Sequence, residues 1–165
     1  MPSLKDVKLQ IAGVGKTKQI TKAMGMVASS KLRGAQSRIE RFRPYAEKFG
    51  QMLGDLAART DGAAHPLLQV HDRPKTTVIL LFSSDRGLCG GFNVNLITAA
   101  QHLAKAREAE GRMVRFLCVG RKARDAVRKS SWELLDAFPD VMGSFNFQLA
   151  AHLGNRVSQL YASGE

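Results

Sequence analysis

Ile20-Thr21-Lys22-Ala23-Met24-Gly25-Met26-Val27-Ala28-Ser29-Ser30-Lys31-Leu32-Arg33-Gly34-Ala35-Gln36 sits in the middle of a pattern that extends well beyond it on both sides. Steps of three and four from Leu4 land on Leu4, Val7, Ile11, Val14, Lys18, Thr21, Gly25, Ala28, Leu32, Ala35, Ile39, Phe42, Ala46, Phe49, Leu53 and Leu56, and thirteen of these sixteen are apolar. That alternation is the seam of a coiled coil, sustained here for about seven heptads. The exceptions, Lys18, Thr21 and Gly25, fall together, and beside them Ile20, Met24 and Val27 carry the stripe on a neighbouring face. The spacing predicts one helix over 4–58, about 80 Å long at 1.5 Å per residue. A compact chain of this length has a radius of gyration of only about 15 Å. Such a helix is therefore expected to project and to need a partner for its seam.

Local chemistry sharpens the expectation. Ser3-Leu4-Lys5-Asp6 is a capping box, in which the hydroxyl and the carboxylate meet the free amides of the first turn. Gly13, Gly15, Gly25 and Gly34 each cost about 1 kcal/mol against alanine in a helix interior, so the helix is marginal without packing. Pro44 has no amide donor and is expected to bend the helix or divide it near Arg43.

The net charge of +11 is unevenly placed, with eleven Lys or Arg against Asp6, Glu40 and Glu47 in residues 1–50. A basic rod of this kind suits nucleic acid, an anionic membrane surface or an acidic protein, and charge alone does not choose among them. Cys89 and Cys118 have neither metal-ligand spacing nor the density of a secreted disulfide framework, which points to a reducing compartment. Neither an apolar run of spanning length nor a signal-peptide core is present, so no insertion into a membrane is expected.

After the helix the pattern changes. Thr60 to Pro66 is expected to end it, and 61–75, with Pro66 and Pro74, reads as a linker. Thr76-Thr77-Val78-Ile79-Leu80-Leu81-Phe82 has the apolar, β-branched character of a strand buried on both faces. The loop Ser83 to Gly91 follows, and then a helix over 93–110 with Asn93 as its cap. A second strand over 114–119, a short basic helix over 121–129, a third strand over 132–138 and a last helix capped by Ser144 complete the series. Strand and helix alternating three times imply a parallel sheet with right-handed crossovers. Three parallel strands make a small sheet, which suggests a longer parent sequence.

Several motifs lead away from the answer. Gly13-Val14-Gly15-Lys16-Thr17 resembles the end of a phosphate-binding loop, but Gln10 stands where that loop needs glycine and no strand precedes it. Gly87-Leu88-Cys89-Gly90-Gly91 lies between strand and helix, where α/β domains bind ligands. It lacks the G-x-G-x-x-G spacing, and no acidic residue ends the second strand, so these glycines are assigned to tight turning. His65, His71, His102 and His152 are scattered without i,i+4 pairing, and no metal site is expected. No nucleophile, base or carboxylate pair stands out, so no catalytic site and no cofactor are assigned.

Two stretches then carry a resemblance. Ile20-Thr21-Lys22-Ala23-Met24-x-Met26-Val27-Ala28-x-x-Lys31-Leu32-Arg33-x-Ala35-Gln36 and Ser84-Asp85-Arg86-Gly87-Leu88-Cys89-Gly90-Gly91-Phe92-Asn93 are similar to the signatures of the gamma subunit of F-type ATP synthases. Pro2-Ser3-Leu4-Lys5-Asp6 and Arg43-Pro44-Tyr45 fit the same family. The resemblance implies an α/β chain: a coiled-coil shaft helix over 1–60, a linker over 61–75 and a partial Rossmann-like parallel-sheet domain over 76–165. It also implies a non-catalytic rotor subunit, peripheral on the cytoplasmic face of a bacterial inner membrane, that couples proton-driven rotation to ATP synthesis at the beta subunits. The implied partners are the alpha, beta and epsilon subunits and the membrane c-ring, with no nucleic acid. Carried over residue by residue, the subunit contacts are Lys22, Met24, Lys31 and Arg33 on the helix and Asp85 and Arg86 in the loop. The four glycines named above depart from the family's usual helix-favouring residues, and the family has further strands and a C-terminal helix beyond position 165. Two other classes compete, a basic coiled coil that binds nucleic acid and a nucleotide-binding enzyme of doubly wound type.

Overall fold

The computed structural model describes residues 3–60, 65–71 and 74–164, and the chain divides into two compact units, Met1–Asp61 and Gly62–Glu165. The start of the linker, 61–64, and positions 72–73 lie outside the described residues.

The first unit is a single helix, α1, Leu4–Arg59. Its start is the expected capping box: Asp6 N–H donates to Ser3 Oγ at 3.3 Å, and Ser3 N–H donates to Asp6 Oδ2 at 3.0 Å. At 56 residues it is about 84 Å long. Pro44 does not divide it, since the helix continues unbroken through that position. None of its described residues is buried. Leu4, Ile11, Val14, Leu32, Ile39, Phe42 and Leu56 along the seam are all more than half exposed.

The second unit is an α/β sandwich. A 3-10 turn, Pro66–Leu68, precedes β1, Thr76–Phe82; then come α2, Phe92–Ala109, β2, Met113–Val119, α3, Arg121–Val127, β3, Glu133–Phe138, and α4, Phe147–Ser163. The sheet is parallel throughout in the order β1-β2-β3. Because side chains alternate along a strand, the apolar runs divide between two faces. Ile79, Leu81, Val114, Phe116 and Cys118 face α2 and α3, packing on Ala100, Ala104, Ala123 and Val127. Leu117 and Val119, with Val78 and Leu80, take the opposite face under Leu153 and Leu160 of α4. β2 is central and the most buried strand, with Phe116 and Leu117 closed to solvent, each worth about 1.5–3 kcal/mol of burial. β1 is an edge strand and only partly covered, which is why its burial is weaker than its apolar run suggests.

Two expected caps are corrected. Gly91, not Asn93, precedes α2, and Asn93 is a buried residue of the first turn. Asn146, not Ser144, caps α4, with its side chain accepting the Leu149 N–H at 3.0 Å. Each cap lies two positions from the residue expected: a glycine with no side-chain bond opens α2, and an asparagine side chain opens α4.

Candidate partner-contact surfaces

On α1, the four residues singled out from sequence are exposed, but they do not share one face. Lys22 and Arg33 are eleven positions apart, about three turns, and lie over one side of the helix. There they bound an open groove of ≈ 580 Å³ floored by Gly25 and Ser29. Met24 and Lys31, about two turns apart, lie roughly half a turn round from that groove. The seam through Thr21, Gly25, Ala28 and Leu32 passes between the two pairs. A partner helix on the seam would thus leave a basic flank on each side. Thr21 does not spoil the seam, because its Oγ1 donates to the Thr17 carbonyl at 2.9 Å and so brings no unsatisfied hydroxyl into an apolar contact.

Two features of α1 escaped the seam count. Gly50 and Gly54 join the other glycines, and a Cβ built at any of the six meets nothing within 4 Å. Tyr45 completes an exposed aromatic row, with ring centroids 5.5 Å from Phe42 and 6.0 Å from Phe49. The i,i+3,i+7 spacing of these three rings, three positions and then four, was the available signal.

On the α/β unit, the loop after β1 is built around two side chains. Asp85 Oδ1 accepts the N–H groups of Arg121 at 2.9 Å and Asp140 at 2.8 Å, and Oδ2 accepts that of Met142 at 3.1 Å. One carboxylate therefore joins the loops that follow all three strands. Partial burial pushes its pKa up, but the three amides and the Arg121 charge outweigh this and hold it below the usual carboxylate range. Asn93 does the same from within: its Oδ1 accepts the Ser84 N–H at 3.1 Å, and its Nδ2 donates to Ser84 Oγ at 2.8 Å and Cys89 Sγ at 3.0 Å. Arg86, by contrast, is exposed, and no ion pair involves it among the described residues.

The crevice where α/β domains hold phosphates is occupied by the protein itself. Gly120, at φ +97°, approaches Ser83 so closely that a Cβ would sit 2.2 Å from the Ser83 carbonyl oxygen. Ser83 Oγ accepts the Ala123 N–H at 2.7 Å, and the Lys122 N–H donates to the Ser84 carbonyl at 3.2 Å. With Arg121 N–H on Asp85, the amides opening α3 are spent inside the fold.

A family model described as ATP synthase matches residues 3–165. The chain belongs to this family, that of the ATP synthase gamma chains. It is 66% identical to the ATP synthase gamma chain of Nitratidesulfovibrio vulgaris (strain Hildenborough) over 165 residues, which is 100% of this chain and 57% of that one. With the gamma chain of Maridesulfovibrio salexigens the identity is 58% over 100% of this chain and 56% of the relative. With that of Chlorobaculum tepidum it is 41%, covering 100% and 58%. The chain thus spans a little over half the length of the gamma chains it matches. The match runs through α1 and the α/β unit alike, so it takes in both candidate surfaces described above. Among the described residues of this gamma-chain relative, no helix is long and apolar enough to cross a membrane.

Proposed function

We propose that this chain forms part of the central-stalk rotor of an F-type ATP synthase. It transmits rotation driven by proton flow to the beta subunits, where ATP is made, and it carries no catalytic site of its own. The observation that carries this reading is α1: about 84 Å of helix with an exposed apolar seam and basic flanks, in a chain of the gamma family. An off-centre shaft touches chemically identical subunits differently at any instant. Each is then biased toward a different conformation and nucleotide affinity, and turning the shaft exchanges those states. On this reading Lys22, Met24, Lys31 and Arg33 meet acidic segments of the beta subunits, and the loop containing Asp85 and Arg86 belongs to the end that meets the epsilon subunit and the c-ring. Its place is peripheral, at the cytoplasmic face of the bacterial inner membrane. The nucleic-acid alternative accounts for the charge but not for a family match that continues through the α/β unit.

The test is reconstitution. Residues 1–165 are continued with the remaining part of the Nitratidesulfovibrio vulgaris gamma chain and mixed with that organism's alpha, beta and epsilon subunits. Rotation-coupled ATP hydrolysis is expected. Assembly without turnover, or no assembly, would overturn the rotor reading.

A further inference from the structure

Positions 61–75 read as a linker, yet the short strap from Gln69 to His71, just after the 3-10 turn, is fastened at two points. Tyr161, in the last turn of α4, donates its hydroxyl to the Gln69 carbonyl at 2.5 Å, and His71 Nε2 lies 3.1 Å from the Tyr161 carbonyl. A carbonyl can only accept, so this contact places an imidazole proton on Nε2. The same carbonyl takes the Gly164 N–H at 3.2 Å, and His71 fills its second lone pair. The two rings meet edge to face, with centroids 4.9 Å apart at 65°. The arrangement is reciprocal: a side chain of α4 holds the backbone of the strap, and a side chain of the strap holds the backbone of α4. Burial does not do this holding, since Val70, between the two tied residues, is 85% exposed, and the clasp stands beside an open recess walled by Pro74, Lys75 and Thr76. The anchor is nonetheless firm. Leu160, next to Tyr161, is buried under the sheet with Leu153, so Tyr161 cannot follow a moving strap without drawing Leu160 out of the core.

We propose that His71 and Tyr161 are positioning residues for the transmission of rotation, forming a clasp that takes up play in the chain between α1 and the α/β unit. This deepens the rotor reading and rests on it. Every freely jointed residue between a shaft and the body that turns it is a place where angle is lost to thermal motion. The clasp ties 69–71 directly to α4, an element of the α/β unit, and so bypasses 72–75 on the way to β1. Towards α1, only 60–64 lie between Arg59 and His65, whose Nδ1 accepts the Leu67 N–H at 3.2 Å to open the 3-10 turn. Directional bonds suit this task better than burial does. Apolar packing is non-directional, whereas two hydrogen bonds running in opposite senses, with a ring contact between them, fix an orientation as well as a position.

The test uses the completed chain in the reconstituted complex, with Tyr161→Phe, His71→Ala and His71→Gln, the last of which keeps a side-chain N–H donor. Amide hydrogen exchange over 67–71 is expected to quicken by about fivefold or more in Tyr161→Phe and in His71→Ala, one hydrogen bond being lost in each, and by less in His71→Gln. Function is read from a probe fixed to the α/β unit, in complexes held to a surface by their alpha and beta subunits and stalled without nucleotide. Combining Tyr161→Phe with His71→Ala is expected to widen the thermal angular spread of the probe by about twofold, while His71→Gln alone stays near the parent. The melting temperature of the completed chain is expected to stay within the scatter of the parent in every variant, because the clasp lies outside the core. Unchanged exchange in Tyr161→Phe and His71→Ala, or faster exchange with an unchanged angular spread, would overturn the proposal and leave the rotor reading intact, since the parent complex still turns. Failure of the unaltered complex to assemble or turn would remove both.

Discussion

At the scale of single residues, Asp85 is the position whose loss should be felt over the widest area, because its two oxygens serve three amides from two other loops. Asp85→Ala is expected to destabilise the chain by about 1–3 kcal/mol, and Asp85→Asn by less, since the amide oxygen retains part of the acceptor set. Chemical denaturation of both variants checks the order. The pH dependence follows from the depressed pKa. The stabilisation is fully present above the ordinary carboxylate range and is lost as pH falls through the lower folded value, so an acid titration should open this loop cluster in the parent and not in Asp85→Asn. Gly120 is the other sensitive position. Gly120→Ala places a Cβ against the Ser83 carbonyl at a positive φ, and adding about 1–3 kcal/mol each for backbone strain and overpacking gives about 2–6 kcal/mol. The two thiols should separate cleanly under alkylation. Cys118 is fully buried and its pKa is pushed up to about 11 by that burial, whereas Cys89 is exposed. Iodoacetamide is expected to modify Cys89 rapidly and Cys118 only after unfolding, as peptide mass mapping would record.

At the scale of elements, α1 and α4 present opposite cases. α4 is amphipathic and its apolar face is used, with Leu153 and Leu160 under 6% exposed against the sheet. α1 shows a longer apolar seam and leaves it open. Its six glycines weaken it further, by about 1 kcal/mol each relative to alanine. Since a Cβ at Gly50 or Gly54 meets nothing, the double alanine variant is expected to raise the stability of α1 by about 2 kcal/mol, visible as a higher helical melting transition by circular dichroism. If those glycines exist to let a partner approach closely, the same variant should assemble less well. Weaker assembly with a stronger helix would separate packing from propensity. Pro44 teaches a related lesson: the ring costs a hydrogen bond, yet one helix runs through it, because the turns on either side hold the remaining ladder.

At the scale of the whole chain, the exposed seam is the dominant property. The 165-residue polypeptide on its own is expected to associate through α1 or to be poorly stable, because thirteen apolar seam positions make a patch longer than water tolerates. Sedimentation velocity should show mass rising with concentration, and Leu32→Glu with Phe42→Glu should abolish the rise. A well-folded monomer at every concentration would contradict this. Like charge sets a limit on such self-pairing, since two copies would each bring the net positive charge of residues 1–50, and association should therefore strengthen with salt.

What the sequence determined by itself is whatever local periodicity encodes. A step of three and four specified α1 almost to the residue, a short apolar run specified β1, and the Ser3 and Asp6 pair specified how α1 begins. These readings succeed because the interactions span only a few residues, and the same local chemistry carries the family likeness. The tertiary structure alone decided what the loop after β1 does. The partners of Asp85 lie 36, 55 and 57 positions away, and the closeness of Gly120 to Ser83 exists only because β1 and β2 are neighbours in register. Asn93 looked like a cap because a helix follows it, but burial turned its side chain inward to hold Ser84 and Cys89. No local pattern contains the order of strands in a sheet, so no local pattern can say which amide a carboxylate will meet.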